Sequence, residues 1–195
     1  TTIEAKSGYE MTLQGEIRQL EIIQTLNKTH PIDLVSTFLA QGIPVEYENK
    51  VDQLTDEIVK KWIPEIARRK LAEYCDVFCE KGYFNLEQSR RILETGRNYG
   101  MKLRIHADWL VHSGGAKLGA ELGVASADHL IFTPMEDIEA LVRSGTIGIF
   151  LPTTPFCYVG TYAKAREIIS RELPVALATD LSAANMCESM QMMMT

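Results

Sequence analysis

Histidine and aspartate side chains stand where several apolar, strand-like runs of the sequence end. His106 and Asp108 close the run KLRIHAD, His129 follows VASAD, and Asp180 ends PVALATD. Taken singly, each is explained as a helix cap or turn former after a buried strand. Taken together they indicate an active site, because α/β folds build their sites at the carboxyl ends of parallel strands. Other polar residues at comparable positions are Lys6, Tyr9, Gln41, Glu80 and Thr153.

These residue types suit metal-assisted hydrolysis. Neutral imidazoles and a carboxylate are natural ligands for zinc or iron, and a nearby carboxylate can shuttle the proton of an activated water. Nucleophilic catalysis is less well supported, since the sequence contains no GxSxG motif and no cysteine or serine with an obvious histidine partner. His30 and His112 are interpreted as surface residues.

The chain alternates short β-branched runs with amphipathic stretches, which is the pattern of serial βα units. Thr12 is expected to cap the first helix, and Pro64 should kink or split the helix predicted near residues 54–70. Strands are predicted over TIEAK, IDLVSTFLA, YCDVFC, KLRIHA, VASAD, TIGIFLP and PVALATD, and a helix is predicted after each of the first six.

Seven parallel strands fit either an open doubly wound sheet or a (β/α)8 barrel that lacks one strand. No GxGxxG or P-loop follows the first strand, which disfavours the open class. The sequence therefore predicts an α/β fold of the (β/α)8 TIM-barrel type, without its first strand and last helix. We expect a single partial barrel domain over residues 1–195.

Composition limits the partners and the compartment. The chain has 195 residues, 46% of them hydrophobic, and a mild net charge of -6 with mixed signs, so nucleic acid is not an expected partner. No apolar run approaches the roughly 20 residues that a bilayer span needs, so a membrane is not expected either. Four cysteines without a CxxC pair favour buried, unoxidised thiols in a reducing compartment, and we expect a cytoplasmic protein.

Several motifs resemble the imidazolonepropionase family of the amidohydrolase superfamily. They are EAKSGY, DVFCEKGYF, SRRILETGRNYGMKLRIHAD, GAELGVASADHL, SGTIGIFLPTTPF and PVALATD followed by ESMQ. The resemblance runs over essentially the whole chain. It implies a barrel enzyme with one zinc or iron ion that hydrolyses the ring amide of 4-imidazolone-5-propanoate to N-formimidoyl-L-glutamate, in histidine degradation.

The resemblance also assigns roles to individual residues. It implies that His106 is a metal ligand, that Asp180 is both metal ligand and proton shuttle, and that His129 is a catalytic histidine. Tyr9 matches a substrate-contacting tyrosine, and Gln41 takes the place of a substrate-binding histidine. Asp108 is expected to support the strand end rather than to bind the metal.

The sequence departs from the family pattern around the pocket. The HxH pair of the family's first strand does not occur, FLAQG replaces FLGAH, LSAAN replaces an Asn-Pro pattern, and Trp109 stands where a catalytic glutamate is expected. Two alternatives follow: a non-catalytic amidohydrolase-like scaffold, or a related hydrolase that acts on a different cyclic amide. These 195 residues alone are expected to be inactive if the metal site is incomplete.

The predicted fold leaves strand edges and apolar surface uncovered, and the tail MQMMMT adds exposed thioethers. We therefore expect self-association or a homodimer, besides binding of a small-molecule substrate.

Overall fold

The computed structural model describes residues 1–183 and 185–194. The chain divides into two compact units, Thr1–Arg104 and Ile105–Thr195, here called the first and the second unit. Strands and helices alternate in both, and the strands that pair are parallel. The alternation predicted from the sequence is thus confirmed.

The first unit begins with three parallel strands that are neighbours in chain order. The register pairs Ala5 with Ser36 and Phe38 with Cys75. Its elements are β1 (Thr2–Lys6), α1 (Leu13–Thr29), β2 (Asp33–Ala40), α2 (Val51–Glu57), α3 (Ile63–Arg68), β3 (Tyr74–Cys79) and α4 (Leu86–Asn98). The strand β4 (Lys102–Ala107) contains the boundary between the units.

Local sequence signals explain where the helices of the first unit begin and break. Thr12 caps α1, as predicted, with its hydroxyl accepting the Gly15 N–H at 3.1 Å. Pro64 lies in the first turn of α3, directly after a π-helical turn over Ile58–Trp62. Residues 51–68 are helical without a gap, so the predicted helix is not split; its irregularity is the π-helical turn directly before Pro64, which has no N–H to donate.

The second unit continues with α5 (Gly115–Leu122), β5 (Ser126–His129), α6 (Met135–Ser144), β6 (Ile147–Phe150), α7 (Ala165–Ser170), β7 (Val175–Leu177) and α8 (Met190–Met193). Parallel pairing joins β5 to β6 and β6 to β7. The helix predicted over residues 161–172 is shorter than expected, and a π-helical turn at Pro155–Val159 and the helix α8 were not predicted. Within the described residues, no helix combines the length and the apolar character that a bilayer span requires.

A close helix-to-strand contact organises the core of the first unit. A Cβ placed on Gly96 of α4 would lie 2.5 Å from Cys75 Cβ and 2.8 Å from its Sγ. Cys75 is buried, and burial raises the pKa of its thiol. Cys79 is buried as well, whereas Cys157 is exposed and Cys187 is half-buried, so the prediction of buried thiols holds for only the first pair.

Gly96→Ala is expected to lower the free energy of unfolding by about 2 kcal/mol, because α4 must move away from β3 to admit one methyl group. Asn98→Ala is the matched control: it lies exposed on the same helix and should change the free energy by less than about 0.5 kcal/mol. Denaturant titration of both variants measures the difference. Equal losses of stability in the two variants would show that the contact between Gly96 and Cys75 is not tight.

Candidate active site

The second unit holds three of the predicted site residues at strand ends. His106 lies in β4, His129 is the last residue of β5, and Asp180 follows β7. His129 has a φ of 77° and Asp180 a φ of 53°, a left-handed backbone that is costly for residues other than glycine. Such strain persists where the surroundings impose it, and it is common at functional sites.

Two histidines and a tryptophan form a cluster of rings in this unit, in which Trp109 stacks on His129 and the His106 ring is tilted by 52° to that of His129. The ring centroids of His106 and His129 are 5.3 Å apart, and the Trp109 ring lies 5.2 Å from that of His129 at an interplanar angle of 17°. Tyr158 meets Trp109 edge-on at 6.4 Å. The indole therefore forms a wall against the face of His129, at the position where the family resemblance leads one to expect a glutamate.

A buried carboxylate beside His106 was missed by the sequence analysis. Asp128, in β5, places its Oδ2 3.9 Å from Nε2 of His106, and its Oδ1 accepts the Ser126 hydroxyl at 3.2 Å. The only sequence signal was the adjacency of Asp128 to His129, and periodicity alone does not show which of the two side chains approaches His106. The second unit thus brings together two imidazoles and an acid.

Asp108 organises the loop after β4. Its carboxylate accepts the N–H groups of Ser113 at 2.7 Å and Gly114 at 3.0 Å, together with the Thr133 hydroxyl at 2.9 Å. It also reaches the N–H of Ala116 in the first turn of α5, at 3.4 Å. Asp108 is fully buried. Its side chain therefore fixes the turn that follows His106, which agrees with the supporting role expected from the sequence.

Asp180 is held by the loop after β6. Thr154 donates its hydroxyl to the Asp180 carboxylate. The Asn185 amide donates to Thr153 Oγ1 at 2.8 Å, to the Thr179 carbonyl at 3.0 Å and to the Asp180 carbonyl at 3.2 Å. Asn185, within the segment LSAAN, was not recognised from the sequence as an anchor. Ala184 of that segment and Thr195 of MQMMMT lie outside the described residues.

A cavity of about 490 Å³ opens beside His129 in the second unit. Its wall is mostly apolar and includes Phe150, Leu177 and Met193, with Arg166 and Tyr162 as polar contributors. The volume is within the range of about 300–1,000 Å³ that small-molecule sites occupy. His129 therefore borders a space that a small ligand could enter.

The first unit holds the two predicted substrate-binding residues, Tyr9 and Gln41. Tyr9 is exposed after β1, and Gln41 follows β2. Their segments adjoin, since a Cβ on Gly8 would lie 3.2 Å from both Cβ and Oε1 of Gln41. Gly8 has a φ of 117°, which only glycine adopts readily. The Gln41 Oε1 is buried without a hydrogen-bond partner in the described residues.

Glu16 of α1 fixes the loop that carries Tyr9. Its carboxylate accepts the N–H groups of Gly8 at 2.5 Å, Met11 at 2.9 Å and Glu10 at 3.2 Å. Desolvation by burial raises the pKa of Glu16, and this effect outweighs the hydrogen bonds, which lower it. The loop conformation thus depends on one buried acid.

Glu16→Gln removes a titratable carboxyl, so the stability of the native chain and of this variant should depend differently on pH. Because the folded-state pKa of Glu16 is raised above the ordinary 4.5, the unfolded state releases its proton first as pH rises. The stability of the native chain relative to the glutamine variant should therefore decrease as pH rises from 4.5 through the folded-state pKa. Urea titrations across that pH interval measure the stability difference between the two proteins. A difference that grows in favour of the native chain as pH rises would contradict a raised pKa for Glu16.

Neither His30 nor His112 takes part in these groupings. His30 is exposed at the end of α1, and His112 lies half-exposed with its Nε2 3.2 Å from Asp137 Oδ2. The prediction that both are surface residues is confirmed.

Comparison with known proteins gives a consistent result, although no family model matches the chain. An imidazolonepropionase of Alkaliphilus metalliredigens is 46% identical over 198 aligned residues, covering 100% of this chain. That of Brevibacillus brevis is 48% identical over 181 residues and covers 92%. By sequence, the chain belongs with the imidazolonepropionases. It spans 47% and 43% of the lengths of these two relatives.

Solved structures confirm the fold class. A triazine hydrolase variant superposes with a TM-score of 0.69 at 12% identity. The superposition covers 95% of this chain and 45% of the hydrolase chain. An adenosine deaminase from Xanthomonas campestris, described with bound zinc, gives a TM-score of 0.61 at 13% identity and covers 95% of this chain and 43% of its own. The predicted fold class, a partial (β/α)8 barrel of the TIM type, is thus confirmed.

Proposed function

We propose that the natural gene product carrying this sequence hydrolyses the cyclic amide of 4-imidazolone-5-propanoate to N-formimidoyl-L-glutamate, a step of histidine degradation. The observation that carries the proposal is the 46% identity over the full chain to a protein named imidazolonepropionase. In this reaction the water oxygen bonds to the ring carbonyl carbon, the C–N bond breaks and the ring nitrogen takes up a proton.

One zinc or iron ion is part of this proposal, with His106 and Asp180 as ligands. The donor types fit such an ion: His106 offers an imidazole nitrogen, with the Asp128 carboxylate 3.9 Å away, and Asp180 offers a carboxylate. When bound, the ion would polarise the carbonyl and supply hydroxide at neutral pH. The zinc described for the adenosine deaminase neighbour supports the choice.

Several side chains of this chain orient the substrate or transfer protons. Asp180 takes a proton from water and delivers it to the leaving ring nitrogen, while Thr154 fixes the orientation of its carboxylate. His129 is held by the stacked Trp109 indole and hydrogen-bonds the ring carbonyl of the substrate. Tyr9 and Gln41 bind the substrate, and the loop of Tyr9 is fixed by Glu16.

We further propose that residues 1–195 form one partial barrel domain and that the protein acts in the cytoplasm on a small molecule. Neither nucleic acid nor membrane is a proposed partner. A homodimer is supported by exposed apolar side chains of the second unit, which include Phe156, Ile169 and Leu181. Light scattering of the natural gene product measures its molar mass, which distinguishes a homodimer from a monomer.

The proposal is tested by kinetics on a panel of cyclic amides. We expect the natural gene product to open 4-imidazolone-5-propanoate with a higher kcat/KM than hydantoin- or dihydropyrimidine-type rings, and His106→Ala to abolish the rate. A preference for another ring would identify a related hydrolase. Absence of turnover with every ring, in a folded and metal-supplemented protein, would instead identify a scaffold.

A further inference from the structure

We infer that Asn185 is a positioning residue for Asp180, because its amide fixes the backbone that aims the Asp180 carboxylate. The inference rests on the proposed function, in which Asp180 binds the metal and transfers protons. Asn185 is 3% exposed and lies between β7 and α8. Its amide nitrogen donates to the carbonyl oxygens of Thr179, at 3.0 Å, and of Asp180, at 3.2 Å. These carbonyls belong to the two peptide units that flank the Asp180 Cα, so one side chain holds both.

The backbone of Asp180 needs such a restraint. Its φ of 53° lies in the left-handed region, which is less favourable than extended backbone for a residue with a Cβ. Without the Asn185 amide the two carbonyls would turn and Asp180 would relax to a negative φ. Its carboxylate would then swing away from the Thr154 hydroxyl that holds it. Asn185 therefore acts on the carboxylate through the backbone, whereas Thr154 acts on it directly.

Asn185 is itself fixed by its neighbours. Its Oδ1 accepts the Cys187 N–H at 3.2 Å, and its backbone exchanges two hydrogen bonds with that of Ser182, at 2.8 Å and 3.1 Å. The amide also donates to Thr153 Oγ1 at 2.8 Å, which connects this segment to the loop after β6. A buried donor held in this way is preorganised. The segment LSAAN, which departs from the family pattern, thus contains a residue that supports the neighbouring aspartate.

The test is a double-variant cycle in the natural gene product. Asn185→Leu removes the amide without adding a charge, and Asn185→Asp removes the donor but keeps the Oδ1 that accepts the Cys187 N–H. The two variants share the loss of the donor. Each should lower kcat for 4-imidazolone-5-propanoate about 10- to 100-fold and leave KM within about threefold, since a displaced catalytic group loses rate on this scale.

The second half of the cycle separates positioning from a merely structural role. In the Asp180→Asn protein, Asn185→Leu should lower kcat by less than about threefold, because the carboxylate that Asn185 positions is already absent. Met186→Leu is the control, since it changes the exposed side chain next to Asn185, and it should leave kcat within about twofold.

Zinc affinity, measured by competition with a chelator, gives a readout that requires no turnover. Asn185→Leu should weaken zinc binding about 10- to 100-fold, and by less than about threefold in the Asp180→Asn protein. Equal losses in both backgrounds, or no loss in either, would overturn the inference. Neither turnover nor zinc binding by the unsubstituted protein would overturn it together with the proposed function. A non-additive zinc cycle without turnover of any ring would sustain the role of Asn185 while the proposed reaction fails.

Discussion

Asp180→Asn is expected to lower kcat/KM for 4-imidazolone-5-propanoate by about 10³-fold in the natural gene product, since general acid–base groups contribute on this scale. Asparagine keeps an oxygen that can accept the Thr154 hydroxyl, so the loop should remain in place. The amide cannot carry the proton from water to the ring nitrogen. The loss should therefore appear mainly in kcat.

Glu188→Gln is the matched control for Asp180→Asn. Glu188 is an exposed carboxylate of the same loop region, and its replacement should leave kcat/KM within about twofold of the unsubstituted protein. Thermal unfolding of both variants shows whether the fold is retained. A normal kcat in a folded, metal-loaded Asp180→Asn protein would remove Asp180 from the proposed proton transfer.

Asp108→Ala is expected to have the largest effect on stability, lowering the free energy of unfolding by about 3 kcal/mol or more, because several donors lose their acceptor in a buried place. The donors include the N–H groups of Ser113 and Gly114 and the Thr133 hydroxyl. Alanine would also occupy a backbone with a φ of 53°. Denaturant unfolding measures the change.

Asp108→Asn separates the loss of hydrogen-bond acceptors from the removal of the whole polar side chain. Asparagine tolerates the left-handed backbone and keeps one acceptor oxygen, so its cost should be smaller, about 1–2 kcal/mol. If the alanine variant were as stable as the asparagine variant, the hydrogen bonds to the Asp108 carboxylate would not be what fixes this loop.

The strands were predictable because their sequence signal is local. TIEAK, YCDVFC and KLRIHA are strands with the predicted bounds, since each is a short run in which apolar residues alternate or cluster at strand spacing. Pro64 likewise marked an irregular helix, which has a π-helical turn directly before the proline. The helix α7 is different: residues 161–164 have helical composition but do not form helix.

The candidate site was only partly predictable, because its geometry depends on contacts between distant residues. The strand ends located His106, His129 and Asp180, but nothing local indicates that the Trp109 indole stacks on His129. Asp128 was missed for the same reason, since its proximity to His106 results from the pairing of neighbouring strands. Long-range packing decides both contacts.

Mass spectrometry of the reaction product in ¹⁸O-labelled water tests the central claim most directly. The natural gene product, loaded with zinc or iron, is incubated with 4-imidazolone-5-propanoate. We predict N-formimidoyl-L-glutamate in which one oxygen of the new carboxylate comes from the labelled water. Unchanged substrate in the presence of folded, metal-loaded protein would contradict the proposed hydrolysis.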